Sequence, residues 1–350
     1  MKIDNREIGL GFPPYIIAEM SANHNGSIEK AFQIIEMAKA RGADAVKLQT
    51  YKPDTITMKS NRPEFKIDHG LWKGKTLYDL YESAYMPWDW HEPLFQKAKD
   101  VGITIFSSPF DFTAVDLLEK LDAPAYKIAS FEAIDIPLIE YVAQTGKPMI
   151  ISTGMANKRE IQDAVDSALA AGCRELAILH CVSGYPAPSS DYNLRTIADM
   201  REGFNCEVGL SDHTLDNTSA IVSVAMGASI IEKHVTLDRT GGGADDSFSL
   251  EPADLENLCV GAKTAWESMG KVDYELKKSE KDNVKFRRSL YFAKNMKKGD
   301  VINADCIRSI RPGYGLPPKL YKSIIGSTVT VDIKKATAVT EDLLSDFKQD

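Results

Sequence analysis

Gly209-Leu210-Ser211-Asp212-His213-Thr214, read with Glu232-Lys233-His234 one structural unit later, decides the fold. Each motif closes an apolar, strand-like run, 207–210 and 228–231, and the stretch between them, 217–226, is rich in alanine and valine at helical spacing. Strand, helix, strand is a crossover unit, and two parallel neighbours joined in this way release their side chains at the same edge of a sheet. His213 and His234 are therefore expected to face each other across a short gap. Two neutral imidazoles there make half of a divalent-metal site, while a strand-end histidine serves as readily as a satisfied hydrogen-bonding residue.

The same rhythm fills the first three quarters of the chain. Apolar runs at 15–18, 45–48, 103–106, 125–128, 149–151 and 176–179 join the two already quoted, eight in all. Most precede a helix-like segment that ends at glycine, as in 28–41 before Gly42, 92–100 before Gly102 and 160–171 before Gly172. Continuous apolar strands alternating with helices describe a parallel sheet covered on both sides, and eight such units describe a closed (β/α)8 TIM barrel. An open doubly wound sheet is the alternative, but no GxGxxG turn follows an early strand to favour it.

Barrels of this kind carry their chemistry at the carboxyl ends of the strands, and each run exits into polar residues. Glu19 and the Asn23-His24-Asn25-Gly26 turn follow the first, Lys47 and Gln49 lie on the second, and Ser107 and Ser108 on the third. The fourth ends in Lys127 and Ser130, the fifth in Ser152, Thr153 and Gly154, and the sixth in His180, Ser183 and Tyr185. The seventh and eighth supply Ser211, Asp212, His213, Lys233 and His234. One such serine or lysine is ordinarily a cap or a solvated loop residue. Repeated hydroxyls and loop N–H groups together form the usual cradle for phosphate, and Lys47 and Lys127 add positive charge. After the second exit a long excursion, 51–101, carries Trp72, Trp88 and Trp90 with Tyr78, Tyr81 and Tyr85. Rings over a barrel mouth suit a sugar or a lid; packing against the rim or a second subunit accounts for them equally well.

Composition narrows the partners. In 350 residues, 43% are hydrophobic, and 42 basic against 50 acidic side chains leave a formal charge of -8. That balance argues against nucleic acid or an anionic membrane as partner, yet a few cations gathered in one cleft still suit a small anion. Five scattered cysteines without a CxxC pair indicate free thiols in a reducing compartment. With no apolar run of membrane-spanning length and a charged start, the expectation is a soluble cytoplasmic protein. The barrel is expected over 1–270, a charged linker over 271–285, and a small mixed domain over 286–350 with strands at 289–293, 307–310 and 328–333. Its Arg311-Pro312-Gly313 turn would present one guanidinium to an anion.

Taken in order, Ile17-Ala18-Glu19, Asn23-His24-Asn25-Gly26, Val46-Lys47-Leu48-Gln49, Tyr126-Lys127-Ile128-Ala129-Ser130, Ser152-Thr153-Gly154-Met155, His180-Cys181 and the two histidine motifs resemble the sialic acid synthases, and the C-terminal region resembles that family's antifreeze-like (SAF) domain. The resemblance covers nearly the whole chain. It implies metal-dependent condensation of phosphoenolpyruvate with the aldehyde of an open-chain N-acetylated amino sugar, with release of phosphate. By the same resemblance Lys47, Ser108, Lys127, Ser130, Ser152, Ser183 and Ser211 would hold phosphoenolpyruvate, and His213 and His234 would ligate Mn2+ or Mg2+, with Co2+ as an alternative. Glu19, Gln49, Tyr185 and Asp245 would meet the sugar, Glu19 doubling as proton acceptor or orienter, and Arg311 would reach in from the partner subunit of a homodimer with exchanged C-terminal domains. Gly243-Ala244-Asp245-Asp246, with 72–85 and Pro87-Trp88-Asp89-Trp90-His91, resembles the pseudaminic-acid-forming branch. Ser183 stands where the sialic branch has asparagine, and Lys335-Ala336 replaces the usual Lys-Gly turn. Two rivals stay open: a Schiff-base aldolase using Lys127 or Lys233 as nucleophile, and a non-enzymatic carbohydrate- or ice-binding protein.

Overall fold

A computed structural model describes residues 1–68, 70–345 and 347, so the end of the small domain expected over 286–350 lies partly outside the described residues. The chain divides into two compact units, one running to Gly270 and the other beginning at Lys271. In the first, eight parallel strands close into a barrel: β1 (Tyr15–Glu19), β2 (Ala45–Thr50), β3 (Thr104–Pro109), β4 (Tyr126–Ile128), β5 (Met149–Ser152), β6 (Leu176–Cys181), β7 (Glu207–Asp212) and β8 (Ile230–His234). Each is followed by a helix on the outside: α1 (Ile28–Ala40), α2 (His91–Val101), α3 (Phe112–Lys120), α4 (Ile136–Ala143), α5 (Lys158–Ala170), α6 (Arg195–Gly203), α7 (Thr218–Ala225) and α8 (Pro252–Met269). The open-sheet alternative is thereby excluded.

Helix starts follow the local chemistry of the sequence. Ser27 caps α1 by accepting from Lys30 N–H, and Asn157 opens α5 with a capping box completed by Glu160. The fused stop at Gly102 is left-handed, φ 72°, a conformation glycine adopts without penalty.

Period-two alternation along the strands sets the barrel interior. Tyr15, Ile17, Ala45, Phe106, Ala125, Ile150, Ala177, Leu179 and Ile230 form one buried cluster with Ile3 and Ile8 of a short N-terminal hairpin (Lys2–Ile3 with Arg6–Glu7). Two residues further along the same strands the inward positions become Glu19, Lys47, Ser108, Lys127, Ser152, Cys181, Ser211 and Glu232, all buried. The tube is therefore apolar below and polar above. Gly209 is required by crowding: a Cβ there would lie 2.3 Å from Ile230 O and 2.7 Å from a Leu179 methyl.

The second unit is built on two antiparallel pairs, Ser289–Phe292 with Ile307–Ile310 and Thr328–Val329 with Leu344–Ser345, around a core containing Leu290, Phe292, Ile302, Ile307, Ile324 and Val339. The strand expected over 328–333 stops after Val329, and the sequence reading missed its partner at Leu344–Ser345. Within the charged stretch, Lys278–Phe286 winds into a 3-10 helix. Ala336 takes the left-handed conformation, φ 68°, where glycine would ordinarily stand.

Candidate active site

The upper half of the barrel holds two lysines and two glutamates in one buried cluster. Register places Glu19 beside Lys47 on one side and His234 on the other. Lys47 Nζ lies 2.7 Å from Glu19 Oε2 and 3.8 Å from Glu232 Oε1, and it donates to Ser108 Oγ at 3.1 Å. Lys127 Nζ donates to the same Glu232 oxygen at 3.2 Å, as does Ser211 Oγ at 3.4 Å. Burial works against every charge here, and the partners decide which survive. For Glu232 the two ammonium groups outweigh burial and hold the carboxyl below its usual range. Glu19 goes the other way: burial, reinforced by Glu232, lifts it to about 7 against the pull of Lys47. Lys127 is lowered by burial, with Lys47 adding to the effect.

Beside this cluster the hydroxyls of Ser130 and Ser183 close in on Gly154, with Ser152 buried two residues before it. Gly154 N–H donates to Ser130 Oγ at 3.2 Å, and a Cβ at Gly154 would lie 2.2 Å from Ser183 Oγ. Ser152 Oγ is buried without a hydrogen-bond partner. An unpaired hydroxyl next to buried lysines is a donor held ready for an anion.

His213 and His234 lie at the mouth with ring centroids 5.4 Å apart. His213 Nδ1 is 2.8 Å from Val182 O, and since a carbonyl only accepts, that ring nitrogen carries a proton and Nε2 is the atom left to face a ligand. Burial disfavours the charged ring, but Cys181 and the Val182 carbonyl outweigh it and hold His213 above the ordinary imidazole range. His234 Nδ1 is buried and has no hydrogen-bond partner. Burial, then the positive charge of His213 and Lys47, drive His234 well below the ordinary imidazole range, so its ring is neutral. Two facing imidazoles, one neutral with an unpaired nitrogen and one fixed through Nδ1 that would shed its second proton on binding, fit a divalent ion. Among the described residues no group of three or more His, Cys, Asp or Glu side chains could hold one, so two protein ligands would leave the remaining positions to water or substrate.

A polar ledge faces the imidazoles. Gln49 Nε2 donates to Glu19 Oε1 at 2.9 Å and to Ser21 Oγ at 3.1 Å, and Ser21 donates to Asp245 Oδ2 at 2.5 Å. Asp245 lies 3.8 Å from His234. Its loop is tied down by the neighbouring Asp246, which accepts from Gly243 N–H, Asn25 Nδ2 and Thr236 Oγ1. Tyr185 covers the histidines, its ring 4.4 Å from His213.

Most of the predicted residues thus converge, but five named at strand exits do not; Thr153 follows the inward Ser152 and its hydroxyl donates to Leu179 O at 3.0 Å. Ser107, His180, Asp212 and Lys233 sit one residue out of phase and point away from the interior. Lys233 Nζ is held by Asp212 Oδ2 at 2.7 Å, Thr214 O at 2.8 Å and Asp216 O at 2.9 Å, which clamps the loop bearing His213 and removes Lys233 as a nucleophile. Arg311 follows strand Ile307–Ile310 in the second unit and is exposed there. Two carboxyls were missed. Glu232 was legible, since it shares the inward phase of His234. Glu132, just after β4, was not: burial raises it to about 7, Lys127 is among the charges acting on it, and its Oε2 has no partner.

The NeuB family's sequence model matches residues 34–274 and the SAF domain's matches 287–345. The chain belongs to the NeuB family. It is 40% identical over 334 residues to the pseudaminic acid synthase of Campylobacter jejuni subsp. jejuni serotype O:23/36 (strain 81-176), covering 95% of this chain and 96% of that one. It is 38% identical over 331 residues to the pseudaminic acid synthase of Helicobacter pylori, covering 94% and 97%. The solved N-acetylneuraminic acid synthetase of Leptospira borgpetersenii serovar Hardjo-bovis, in complex with citrate, matches with a TM-score of 0.73 at 30% identity, covering 82% and 95%. The resemblance drawn from the motifs is thus established, as are the barrel and the SAF domain. As a NeuB family member the chain is a carbon–carbon bond-forming synthase, which sets aside the aldolase and the non-enzymatic reading. Among the described residues no helix is long and apolar enough to cross a membrane.

Proposed function

We propose that this enzyme condenses phosphoenolpyruvate with 2,4-diacetamido-2,4,6-trideoxy-L-altrose and water, giving pseudaminic acid and inorganic phosphate. The observation that carries the reading is the stacking of two groups in one barrel, a buried set of hydroxyls and lysines in the layer beneath a pair of facing imidazoles. Lys47, Lys127, Ser108, Ser130, Ser152, Ser183 and Ser211 bind phosphoenolpyruvate through its phosphate and carboxylate. Gln49, Tyr185 and Asp245 orient the sugar. Arg311 reaches it from the partner subunit of a homodimer with exchanged C-terminal domains, and this arrangement rests on resemblance.

His213 and His234 would hold a divalent ion, Mn2+ or Mg2+. When bound, that ion supplies Lewis acidity at the aldehyde oxygen or activates a water. In the reaction C3 of phosphoenolpyruvate bonds to the aldehyde carbon, and the aldehyde oxygen gains a proton. Water adds at C2 and loses a proton, and the C2–O bond to phosphate breaks. Glu19 and Glu132, both near neutrality, are the groups able to take or give these protons at physiological pH. Lys47 and Lys127 stabilise charge on the departing phosphate.

A 6-deoxy sugar is favoured over N-acetylmannosamine by the aromatic surface beside the imidazoles, which suits a methyl better than a hydroxymethyl group. The pseudaminic branch is favoured over the legionaminic one by 38–41% identity to pseudaminic acid synthases against 32–33% to N,N'-diacetyllegionaminic acid synthases. Phosphate release, measured with the trideoxy sugar and with N-acetylmannosamine, tests this. Faster turnover of the trideoxy sugar, abolished by EDTA and restored by Mn2+, is expected; preference for N-acetylmannosamine would overturn the sugar assignment. Borohydride with pyruvate should trap no adduct on Lys127.

A further inference from the structure

The excursion between β2 and α2 places its three tryptophans in different surroundings. Trp88 donates its N–H to Tyr51 O at 3.1 Å and lies under Lys52, and Trp90 packs edge-on against His24, both within the rim. Trp72 instead reaches the mouth. Its indole N–H donates to Ala244 O at 3.2 Å, one residue before Asp245, and its ring lies 6.0 Å from Tyr185. Tyr185 continues the contact to His213 at 4.4 Å and to Phe248 at 5.5 Å, and Phe248 lies 5.2 Å from His234. Three segments distant in sequence therefore build one aromatic wall running outward from the imidazoles. Joined to it through the Asp245 loop is the ledge of Gln49, Ser21 and Asp245, all hydrogen-bonding groups.

An acceptor sugar whose aldehyde sits at the imidazoles extends outward along a surface of rings, polar only at the Tyr185 hydroxyl, with a ledge of hydrogen-bonding groups beside it. Its hydroxyl and amide groups belong on the ledge. The carbon furthest from the aldehyde passes along the wall, where a methyl is buried favourably and a hydroxymethyl loses its hydrogen bonds to water without replacement. Tethering of Trp72 to the loop of Asp245 couples the two sides, so the wall is in place when the ledge is.

We propose that Trp72, at the outer end of the wall that Tyr185 continues to Phe248, is the specificity-determining surface for the terminal methyl of a 6-deoxy, N-acetylated sugar. The proposal deepens the sugar assignment made above and rests on it. Trp72→Ala should lower kcat/KM for the trideoxy diacetamido sugar by roughly tenfold or more, while kcat/KM for N-acetylmannosamine and the KM for phosphoenolpyruvate change less than about threefold. Trp72→Phe, which keeps a ring but drops the bond to Ala244 O, should retain most of the discrimination; loss of discrimination in Trp72→Phe as complete as in Trp72→Ala would overturn the role given to the ring surface. If Trp72→Ala slows both sugars equally, or neither, the wall does not read the methyl and the proposal falls while the sugar assignment stands. If the wild-type enzyme itself prefers N-acetylmannosamine, the assignment fails and takes the proposal with it.

Discussion

Glu19 and Glu132 stand near 7 for the same reason: a carboxylate pays a solvation penalty when buried, and neither has enough compensating charge to offset it. A carboxyl raised in this way is protonated below about 7 and ionised above it. If ionised carboxylate accepts a proton in turnover, kcat/KM should fall as pH drops through that value, with a one-proton slope. Glu132→Gln should remove or shift that limb and lower kcat by about 10²-fold or more, checked by a pH profile of phosphate release. Glu232 has a different task. It is the shared counter-ion of Lys47 and Lys127, and Glu232→Gln leaves Lys127 buried without a carboxylate partner while Lys47 keeps Glu19, with an expected loss of about 3–5 kcal/mol in urea unfolding. How far such residues were legible depends on phase. Along a strand, alternate residues face the tube, so Glu19, Lys47, Lys127, Ser211 and His234 could be placed from spacing alone. A slip of one position reverses the direction of a side chain, and that is how Asp212 and Lys233 came to be read as site residues. Trp72 and Asp246 could be named from the sequence but not given their partners, since each acts through a contact between segments separated by more than 150 residues.

At the scale of the element, the β7 exit shows how a loop can be made rigid by a group outside the site. Lys233 gathers Asp212, Thr214 and Asp216 around one ammonium, fixing the backbone that carries His213. Lys233→Met should weaken Mn2+ binding by roughly 10–100-fold, measured by titration of the metal, while the affinity for phosphoenolpyruvate is preserved. In the small domain Ala336 holds a left-handed turn at a cost of roughly 1–2 kcal/mol. Ala336→Gly relieves that cost and adds freedom to the unfolded chain, so a net gain of up to about 1 kcal/mol in thermal or denaturant unfolding is expected. The periodicity of the eight strands made the barrel the easier part to read. Short pairings such as Leu344–Ser345 left no comparable signal, because a two-residue strand has no period.

For the whole molecule, the hairpin bearing Ile3 and Ile8 joins the apolar lower layer of the barrel, and this has a kinetic consequence. A vessel stoppered at its base is filled and emptied through one opening, so guests that lie at different depths must queue. The lysines that would grip the enol phosphate sit on the inner layer, and the imidazoles, Gln49 and Asp245 lie nearer the brim. The acid with the phosphate should enter first and the sugar second, and initial-rate data should show a compulsory sequence in which a dead-end sugar analogue is uncompetitive against phosphoenolpyruvate.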